Sequence, residues 1–289
     1  MEDKIIKLRE SLDKINFFER KDILKFPEFY EFVDCKYIDN KNFQMFLGGH
    51  DDLVAARFYW NGCYERKTLG LWSIFCKNIN QGFIIDIGAH TGSYTLTSMS
   101  TNKSNVTLSF EPHFINYSRM NLNLRKNNFT TRNVFMVCVG NTKKIVPFSI
   151  NGNFDFMTSG GSVGERNPST SITQNLPQIS LDEFVKKEDY QKIALIKIDV
   201  EGYELNAFLG MTEILNLAKP TIFFEALPDA NKNEISKLLN SFGYVYYDID
   251  DKNYTVKLNT TLENGSDYFN HNKIAIHKDS VHKQLIEIT

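Results

Sequence analysis

An acidic residue followed by two spaced glycines is the strongest chemical signal in the sequence. The segment DIGAHTG (86–92) overlaps the end of a short apolar run at 82–88. Gly88 and Gly92 allow a tight turn and a close approach to a ligand, and the helix that follows offers unpaired N–H groups. The spacing differs from the G-x-G-x-x-G of a dinucleotide site, and a carboxylate repels a pyrophosphate. Asp86 therefore favours a cationic ligand, and S-adenosyl-L-methionine (SAM), a sulfonium zwitterion, fits this expectation.

A second acid stands at the end of the next apolar run. Glu111 and Pro112 close NVTLSFEP (105–112), and Glu111 follows Asp86 by 25 residues. A carboxylate at this place can accept both ribose hydroxyl protons, a feature that does not separate NAD from SAM. A lone strand-end acid is also typical of a helix N-cap or a solvated loop. The pairing with the Asp86 turn favours the ligand-binding interpretation.

Three carboxylates and a lysine follow one another in KIDVEGYE (197–204). Ligands bind at the carboxyl edge of parallel sheets, and alternation would point Lys197, Asp199 and Glu201 to one side if the strand extends that far. Lys197 then lies within reach of one carboxylate and keeps the acids ionised. Asp199 or Glu201 is a candidate general base or metal ligand, whereas an N-cap cluster is the structural alternative. We favour the functional role for these two and the cap for Glu204.

Alternating apolar runs and helical stretches predict an α/β fold. Runs typical of buried strands occupy 82–88, 105–112, 133–140, 194–202 and 220–226, and helical patterns occupy 91–100, 113–127, 203–218 and 231–242. Strands that are apolar on both faces predict a parallel sheet with helices on both faces. Edge strands are expected at 244–250, 254–258 and 272–278.

The remaining segments are predicted to surround this sheet. Apolar residues recur at helical spacing near the N-terminus, at Ile5, Leu8, Leu12 and Ile15, and aromatic residues crowd 17–32. We therefore expect residues 1–50 to form a helical, aromatic cap on a domain of residues 51–289, which begins with a helical pattern interrupted at 61–62. Residues 141–180 combine an extra strand, KKIVPFSI, with a long Gly/Ser-rich loop, which is typical of a functional lid.

Composition limits the partners and the location. The 33 basic and 35 acidic residues are nearly balanced, so the charge footprint of a dedicated nucleic-acid binder is missing. No stretch approaches the ~20 apolar residues of a membrane span, and the first residues lack the apolar core of a signal peptide. The four cysteines show no metal-site or C-x-x-C spacing. We expect a cytoplasmic protein with reduced thiols that binds no nucleic acid and has no membrane span.

Seven segments, taken in their order and spacing, resemble the FkbM-type methyltransferases. They are DDLVAARFYWNGCYE, FIIDIGAHTGSYTL, SFEPHFINYSRMNLNLRKN, VCVGN, ISLDEF, LIKIDVEGYELNAFLG and PTIFFEA, which run from about Asp51 to Glu225. Members of this family use SAM, and most methylate hydroxyls of sugars and of glycosylated or polyketide products. The resemblance implies a Rossmann-like class I methyltransferase fold with a mostly parallel seven-stranded sheet. It also implies O-methyl transfer to a sugar, glycan or glycoconjugate, with S-adenosyl-L-homocysteine (SAH) as product.

The resemblance also assigns roles to single residues. The cofactor residues that it implies are Asp86, Gly88, Ala89, His90, Gly92, Glu111, Pro112, Gly140, Asn141 and Asp199. Glu65 would close over the site from the N-terminal side, and Asp182 would either order the chain beside the pocket or cap a helix. His90 stands where the family commonly has Asn; it either hydrogen-bonds in the same way, which we favour, or acts as a base.

Chemistry at the acceptor needs a base and leaves some alternatives open. Because a sugar hydroxyl is a weak acid, the candidate bases are Glu201, Asp199 and His90, in that order. A Mg²⁺ ion held by Asp199 and Glu225 is an alternative that we do not adopt, since no tight metal-ligand spacing occurs. Two other classes of function are kept: a nicotinamide-dependent oxidoreductase and a non-catalytic protein that binds SAM or glycans. The sequence leaves the acceptor and the oligomeric state open.

Overall fold

The structure, a computed structural model, describes residues 7, 20–28, 30–36, 42–151, 158–227, 231–259, 262 and 271–287. Its strands are β1 (Tyr30–Lys36), β2 (Asn42–Gly48), β3 (Phe83–Ile87), β4 (Val106–Phe110), β5 (Val134–Phe135), β6 (Cys138–Val139), β7 (Lys144–Asn151), β8 (Ser162–Val163), β9 (Ser171–Ile179), β10 (Ile193–Ile198), β11 (Thr221–Glu225), β12 (Tyr244–Asp250), β13 (Thr255–Asn259) and β14 (Asn272–His277). Its helices are α1 (Arg20–Ile23), α2 (Leu53–Asn61), α3 (Arg66–Asn78), α4 (Ser93–Thr101), α5 (Phe114–Lys126), α6 (Leu181–Phe184), α7 (Glu204–Leu209), α8 (Thr212–Leu217), α9 (Lys232–Ser241) and α10 (Lys283–Glu287), with a 3₁₀ helix at Lys187–Lys192.

The central sheet is mixed and mostly parallel. Its strand order is β13-β12-β14-β11-β10-β3-β4-β5, which makes eight strands in the described part of the chain rather than the predicted seven. The pairs from β11 to β5 are parallel, as predicted, whereas β14, β12 and β13 join antiparallel. Of the three predicted edge strands, only β13 lies at an edge of the described sheet. The prediction is wrong for 272–278, because β14 lies between β11 and β12 and all its residues are buried, and wrong for 244–250, because β12 lies between β13 and β14.

Helices cover both faces of this sheet. Alternate residues of one strand enter two different cores: Ile84 packs with α2, α3 and α4, whereas Ile85 and Ile87 pack with α7, α8 and α9. Burial on both faces is the reason that these strands are apolar throughout. The fold therefore confirms the predicted α/β architecture and brings the carboxyl ends of β3, β4, β10 and β11 to one edge.

The helices follow the predicted patterns, with one break. The patterns at 91–100, 113–127 and 231–242 correspond to α4, α5 and α9, but the stretch 203–218 divides into α7 and α8 at Gly210. A Cβ atom on Gly210 would lie 1.9 Å from the carbonyl oxygen of Gly140, so the chain passes that backbone too closely for any side chain. None of the helices that the structure describes has the length and apolar character needed to cross a membrane.

The described part of the N-terminal segment contains a β-hairpin. Strand β1 pairs antiparallel with β2, after the short helix α1, and the helix predicted from Ile5 to Ile15 lies outside the described residues. Side chains of α5 and its C-cap fix this hairpin: Asn123 Oδ1 accepts a hydrogen bond from Phe46 N and Asn127 Oδ1 accepts one from Gln44 N, both at 2.8 Å. The hairpin packs in the same core as α2 and α3. The division of the chain at residue 50 stays a prediction.

Residues 141–180 build a second, smaller sheet instead of a single strand and a long loop. Its strand order is β6-β9-β7-β8, and β7 pairs antiparallel with β9 over eight residue pairs from Lys144–Gln178 to Asn151–Ser171. Most residues of β9 are exposed, so the period of apolar residues did not reveal the strand. Residues 152–157 lie outside the described part of this segment. The small sheet begins directly after β5 and stands beside the edge where the main strands end.

Candidate active site

A cleft with about 1030 Å³ of empty space opens where β3, β4, β10 and β11 end. Residues following these strands line it, together with Leu53, Arg57 and Glu65 from the N-terminal side and residues 158–161 from the small sheet. Of the residues predicted to form the site, the cleft is lined by Glu65, Gly88, His90, Glu111, Pro112, Val139, Asp199, Glu201 and Glu225. The candidate polar and acidic side chains therefore meet at the predicted carboxyl edge of the sheet.

The turn after β3 is packed too tightly for any residue but glycine. Gly88 has a φ of +76°, and a Cβ atom there would lie 1.7 Å from the carbonyl oxygen of Asp199. Its N–H donates to the carbonyl oxygen of Phe110 at 2.9 Å, and Asp199 N donates to Ile87 O at 2.9 Å. The turn thereby joins β4 and β10, and its backbone lines the cleft without a side chain in the way.

Glu111 is held by two backbone donors. Its Oε2 accepts a hydrogen bond from His90 N at 2.7 Å, and its Oε1 accepts one from His113 N at 2.8 Å. Burial raises the pKa of this carboxyl to about 7, although both N–H groups oppose the shift. Each oxygen keeps a lone pair beyond the one used by the backbone. Glu111 is thus fixed at the cleft with acceptor capacity left for a ligand hydroxyl.

Asp86 lies beneath the cleft and does not line it. The side chain is 1% exposed, and Thr95 Oγ1 donates to its Oδ2 at 2.6 Å. Burial raises the pKa of Asp86 to about 6, against the Thr95 hydrogen bond and the charge of Lys197. Four other residues assigned to the cofactor are also missing from the cleft lining, namely Ala89, Gly92, Gly140 and Asn141. Their contact with the cofactor stays a prediction.

Lys197 forms the predicted pair with one of the acids. Its Nζ donates to Asp199 Oδ2 at 3.0 Å and lies 5.1 Å from the centroid of the Tyr94 ring, and the side chain is 1% exposed. Burial alone would lower the pKa of this ammonium, but the charges of Asp199, Glu65 and Glu225 outweigh it and the pKa is raised. Lys197 therefore carries the positive charge that balances these acids.

Two further carboxylates complete this group. Glu65 Oε2 accepts a short hydrogen bond from the Tyr94 hydroxyl, and burial raises the pKa of Glu65 although Lys197 opposes this. The pKa of Glu225, at the end of β11, is raised well above its usual range by burial and then by the charge of Asp199. The acid-rich end of the cleft is thus poised to attract a cation.

Glu201 reaches the cleft from a turn rather than from the strand. Strand β10 ends at Ile198, so the alternation expected for Lys197, Asp199 and Glu201 stops before Glu201, which is exposed and has a φ of +51°. Glu204 has the structural role that we favoured, because its Oε1 accepts hydrogen bonds from Gly202 N at 3.0 Å and Val200 N at 3.4 Å. This buried glutamate fixes the turn that carries Glu201.

The structure indicates a structural role for both Asp182 and His90, for which the sequence left two alternatives each. Asp182 accepts hydrogen bonds from Glu213 N at 2.9 Å and Ile214 N at 3.1 Å, so it caps the N-terminus of α8. His90 has a φ of +51°, a region in which Asn and His are both enriched among residues other than glycine. Its Nδ1 lies 3.2 Å from the Thr91 hydroxyl. Backbone conformation therefore supports His90 as a structural replacement for Asn.

Sequence reasoning missed several residues that line the cleft. His113 caps α5 by accepting a hydrogen bond from Ile115 N at 3.2 Å, and Phe148 packs against it from the small sheet. Asn116 Nδ2 donates to Thr158 O at 2.9 Å, whereas its buried Oδ1 has no hydrogen-bond partner among the described residues. The position of Asn116 in the first turn after Glu111 was the one signal that could have indicated it.

The fold and the cleft together define an α/β protein with a ligand-sized cleft at the carboxyl edge of its parallel strands. The profile of the Methyltransferase FkbM domain matches residues 86–246, more than half of the 289 residues. The chain therefore belongs to the FkbM methyltransferase family, as its sequence segments indicated. The family is described by a methyltransferase domain, so the match favours a methyl donor and sets the nicotinamide alternative aside. A search of curated proteins finds no match to this chain.

Several solved structures are similar to this chain at low sequence identity. The methyltransferase FkbM of Methylobacillus flagellatus KT is 13% identical with a TM-score of 0.45, over 94% of this chain and 59% of that one. A SAM-dependent O-methyltransferase of Thermotoga maritima is 11% identical with a TM-score of 0.41, over 86% of this chain and 77% of that one. The 16S rRNA N2 G1207 methyltransferase of T. thermophilus is 10% identical with a TM-score of 0.43, over 87% of this chain and 51% of that one. The chain thus spans little more than half the length of the first and the third of these structures.

Proposed function

We propose that this protein transfers the methyl group of SAM to a hydroxyl of a sugar, glycan or glycoconjugate. The observation that supports this most strongly is the meeting, in one cleft, of the Gly88 turn, the backbone-held Glu111 and the acids Asp199 and Glu201. The first two suit a nucleoside cofactor, and the acids suit a hydroxyl that must lose its proton. The FkbM resemblance of the sequence favours a sugar-type acceptor.

The residues present fit SAM on four counts. Gly88 lines the cleft with backbone alone, and the buried Asn116 Oδ1 offers an acceptor for an amino group such as that of adenine. Glu111 would accept the ribose hydroxyls. Glu65 and Asp199 would present negative charge to the ammonium and sulfonium groups. When bound, SAM supplies an electrophilic methyl group on a cationic sulfur.

Glu201 is our first choice for the base. It lines the cleft from a turn fixed by Glu204, and its exposed carboxylate can accept the acceptor's hydroxyl proton and pass it to water. Asp199 is already engaged in an ion pair with Lys197 at 3.0 Å, so we rank it second. His90 is the third candidate. Removal of such a base costs roughly 10²–10⁴-fold in rate, whereas alignment of the reactants contributes on the order of 7–11 kcal/mol.

Ligand binding and methyl transfer test this proposal separately. Isothermal titration calorimetry with SAH and with NADH should give a saturable signal for SAH alone. Transfer of a radiolabelled methyl group from SAM to purified glycans and free sugars should then give an alkali-stable product, as expected of a methyl ether. Binding of SAH without transfer to any hydroxyl acceptor would favour the non-catalytic alternative, and tight NADH binding without SAH binding would overturn the assignment.

We also propose a cytoplasmic location, on the basis of the cysteines. Cys35, Cys76 and Cys138 are buried free thiols, and Cys63 is a partly buried one. Burial raises the pKa of Cys138 to about 12 and that of Cys76 well above its usual range, so both thiols stay protonated and unreactive. Thiols of this kind are typical of proteins in a reducing compartment.

A further inference from the structure

Glu65 stands at the start of α3 but does not cap it. Its backbone is left-handed, with a φ of +40°, and its side chain makes no hydrogen bond to the first turn of the helix. An acidic residue at this position commonly accepts a hydrogen bond from the second or third N–H of the helix. Here the carboxylate instead points to the Tyr94 hydroxyl and lines the cleft.

The cap of α3 comes from the far end of the chain. Asp251, in the turn between β12 and β13, accepts hydrogen bonds from Lys67 N at 2.7 Å and Thr68 N at 3.0 Å through its Oδ1. Its Oδ2 accepts a third from Thr68 Oγ1 at 2.6 Å. These bonds satisfy the donors that a cap at position 65 would otherwise engage.

The same turn makes a second contact with this helix. The guanidinium of Arg66 lies 5.3 Å from the centroid of the Tyr254 ring. Tyr254 is 48% exposed and lies outside the cleft lining. The family match covers 86–246, so Glu65 and Asp251 both lie outside the part of the chain that defines the family.

We propose that Asp251 is a positioning residue that holds the Glu65 carboxylate in the cofactor cleft. By capping α3 in place of Glu65, Asp251 fixes the first turn of the helix and leaves the Glu65 carboxylate available to the positively charged end of the cofactor. The C-terminal hairpin thereby completes the cofactor site from outside the family core. This inference rests on the proposed function, because it takes the ligand of Glu65 to be the ammonium group of the methyl donor, which SAH also carries.

The affinity for SAH, measured by calorimetry, tests the proposal. Asp251→Ala removes the three hydrogen bonds to α3 and the one to the Asn272 side chain. We expect roughly tenfold weaker binding because Glu65 loses its fixed position. Asp251→Asn keeps an oxygen for Lys67 N and Thr68 N and should restore most of the affinity. Tyr254→Ala is the matched control, since it removes the other contact of the same turn, and it should bind SAH as the wild type does.

A double-mutant cycle separates positioning from a general effect on the fold. If Asp251 acts through Glu65, then Asp251→Ala weakens SAH binding in the wild type but has no further effect in the Glu65→Ala background. The proposal would be overturned if Asp251→Ala reduced SAH affinity by the same factor in both backgrounds. It would also be overturned by a folded Asp251→Ala variant with wild-type affinity. Circular dichroism and a thermal melt establish that each variant is folded.

If Asp251→Ala does not fold, Thr68→Val replaces it in the experiment, because this change removes only the hydrogen bond from the Thr68 hydroxyl to Asp251. A loss of about threefold, absent in the Glu65→Ala background, is then expected, and wild-type affinity would overturn the proposal. A wild-type protein that does not bind SAH would count against the proposed function, whereas SAH binding that is insensitive to Asp251 would count against this inference alone.

Discussion

The backbone N–H of His90 donates a 2.7 Å hydrogen bond to the Glu111 carboxylate, which joins the turn after β3 to the end of β4. The two halves of the expected nucleoside site are thereby held in one geometry before any ligand arrives. The same carboxyl is buried, and its pKa is raised to about 7. A fraction of the free protein near neutral pH therefore carries a protonated Glu111, and this has a consequence for ligand binding.

We predict that SAH binds more tightly as the pH rises from about 6 to about 8. The ionised Glu111 can accept two ribose hydroxyls, so ligand binding favours the charged form and lowers its pKa. Below a pH of about 7, binding must release a proton, and the affinity should fall by up to about tenfold per pH unit. Calorimetry in two buffers with different ionisation enthalpies measures this proton release directly.

Glu111→Gln is the control for this pH dependence. The variant should bind SAH more weakly at all pH values and lose the proton release near neutrality. Asp86, with a pKa of about 6, would leave a smaller dependence at lower pH. A wild-type affinity that is constant from about pH 6 to about pH 8, without proton release, would contradict the role given to Glu111.

Gly88→Ala should abolish SAH binding and strongly destabilise the fold. The new Cβ atom would lie 1.7 Å from the Asp199 carbonyl oxygen, so β3 and β10 must separate where the cleft begins. We expect a loss of more than about 4 kcal/mol in the free energy of unfolding, measured by urea denaturation.

Gly62→Ala is a matched control for the change at Gly88. Gly62 has nearly the same φ, +75° against +76°, but a Cβ atom there would meet no atom within 4 Å. Backbone strain alone should cost about 1–2 kcal/mol and leave SAH affinity unchanged. Equal losses of stability in the two variants would show that the contact with Asp199 is not the reason for glycine at 88.

The sequence predicted the elements better than their arrangement. Strands β3 and β11 were placed to within one residue, because their apolar runs reflect burial on both faces. Strand β14, which contains Asn272, Lys273 and His277, was expected at an edge. It lies inside the sheet, where the charge of Lys273 is balanced by Asp248 at 2.7 Å, a partner that local sequence does not reveal.

The candidate site could also be predicted only in part, because local sequence does not reveal tertiary packing. Gly88, Glu111 and Asp199 could be predicted because each directly follows a recognisable strand, and such positions meet at one edge of a parallel sheet. Asn116 and Phe148 were missed, since their place in the cleft depends on how α5 and the small sheet pack. Tertiary packing, rather than any local pattern, brings these two to the cofactor side.

Lys197→Met should reduce both stability and turnover. The change removes the positive charge that balances Asp199, Glu65 and Glu225, so the negative charge of these carboxylates is no longer compensated. We expect a loss of about 3–5 kcal/mol in the free energy of unfolding. Since the acids would then protonate more readily, the pH at which kcat reaches half its maximum should rise.

Lys273→Met separates the general cost of a broken buried ion pair from the effect on chemistry. Lys273 is 2% exposed and pairs with Asp248 at 2.7 Å in the same sheet, outside the cleft lining. This variant should lose stability as Lys197→Met does but keep the wild-type kcat and its pH profile. Identical kinetic behaviour of the two variants would mean that Lys197 has only a structural role.

Glu201→Gln should separate turnover from cofactor binding. The amide keeps the shape of the side chain but cannot accept a proton, so kcat should fall by roughly 10²–10⁴-fold while SAH affinity stays within about twofold of the wild type. Glu234→Gln, an exposed change on α9 away from the cleft, should leave both quantities unchanged. Single-turnover transfer of labelled methyl groups and calorimetry provide the two measurements.

If Glu201→Gln turns over at the wild-type rate, Glu201 is not the base. The same two measurements are then made on Asp199→Asn and His90→Asn. A normal rate in His90→Asn would in turn support the structural role that its left-handed backbone indicates.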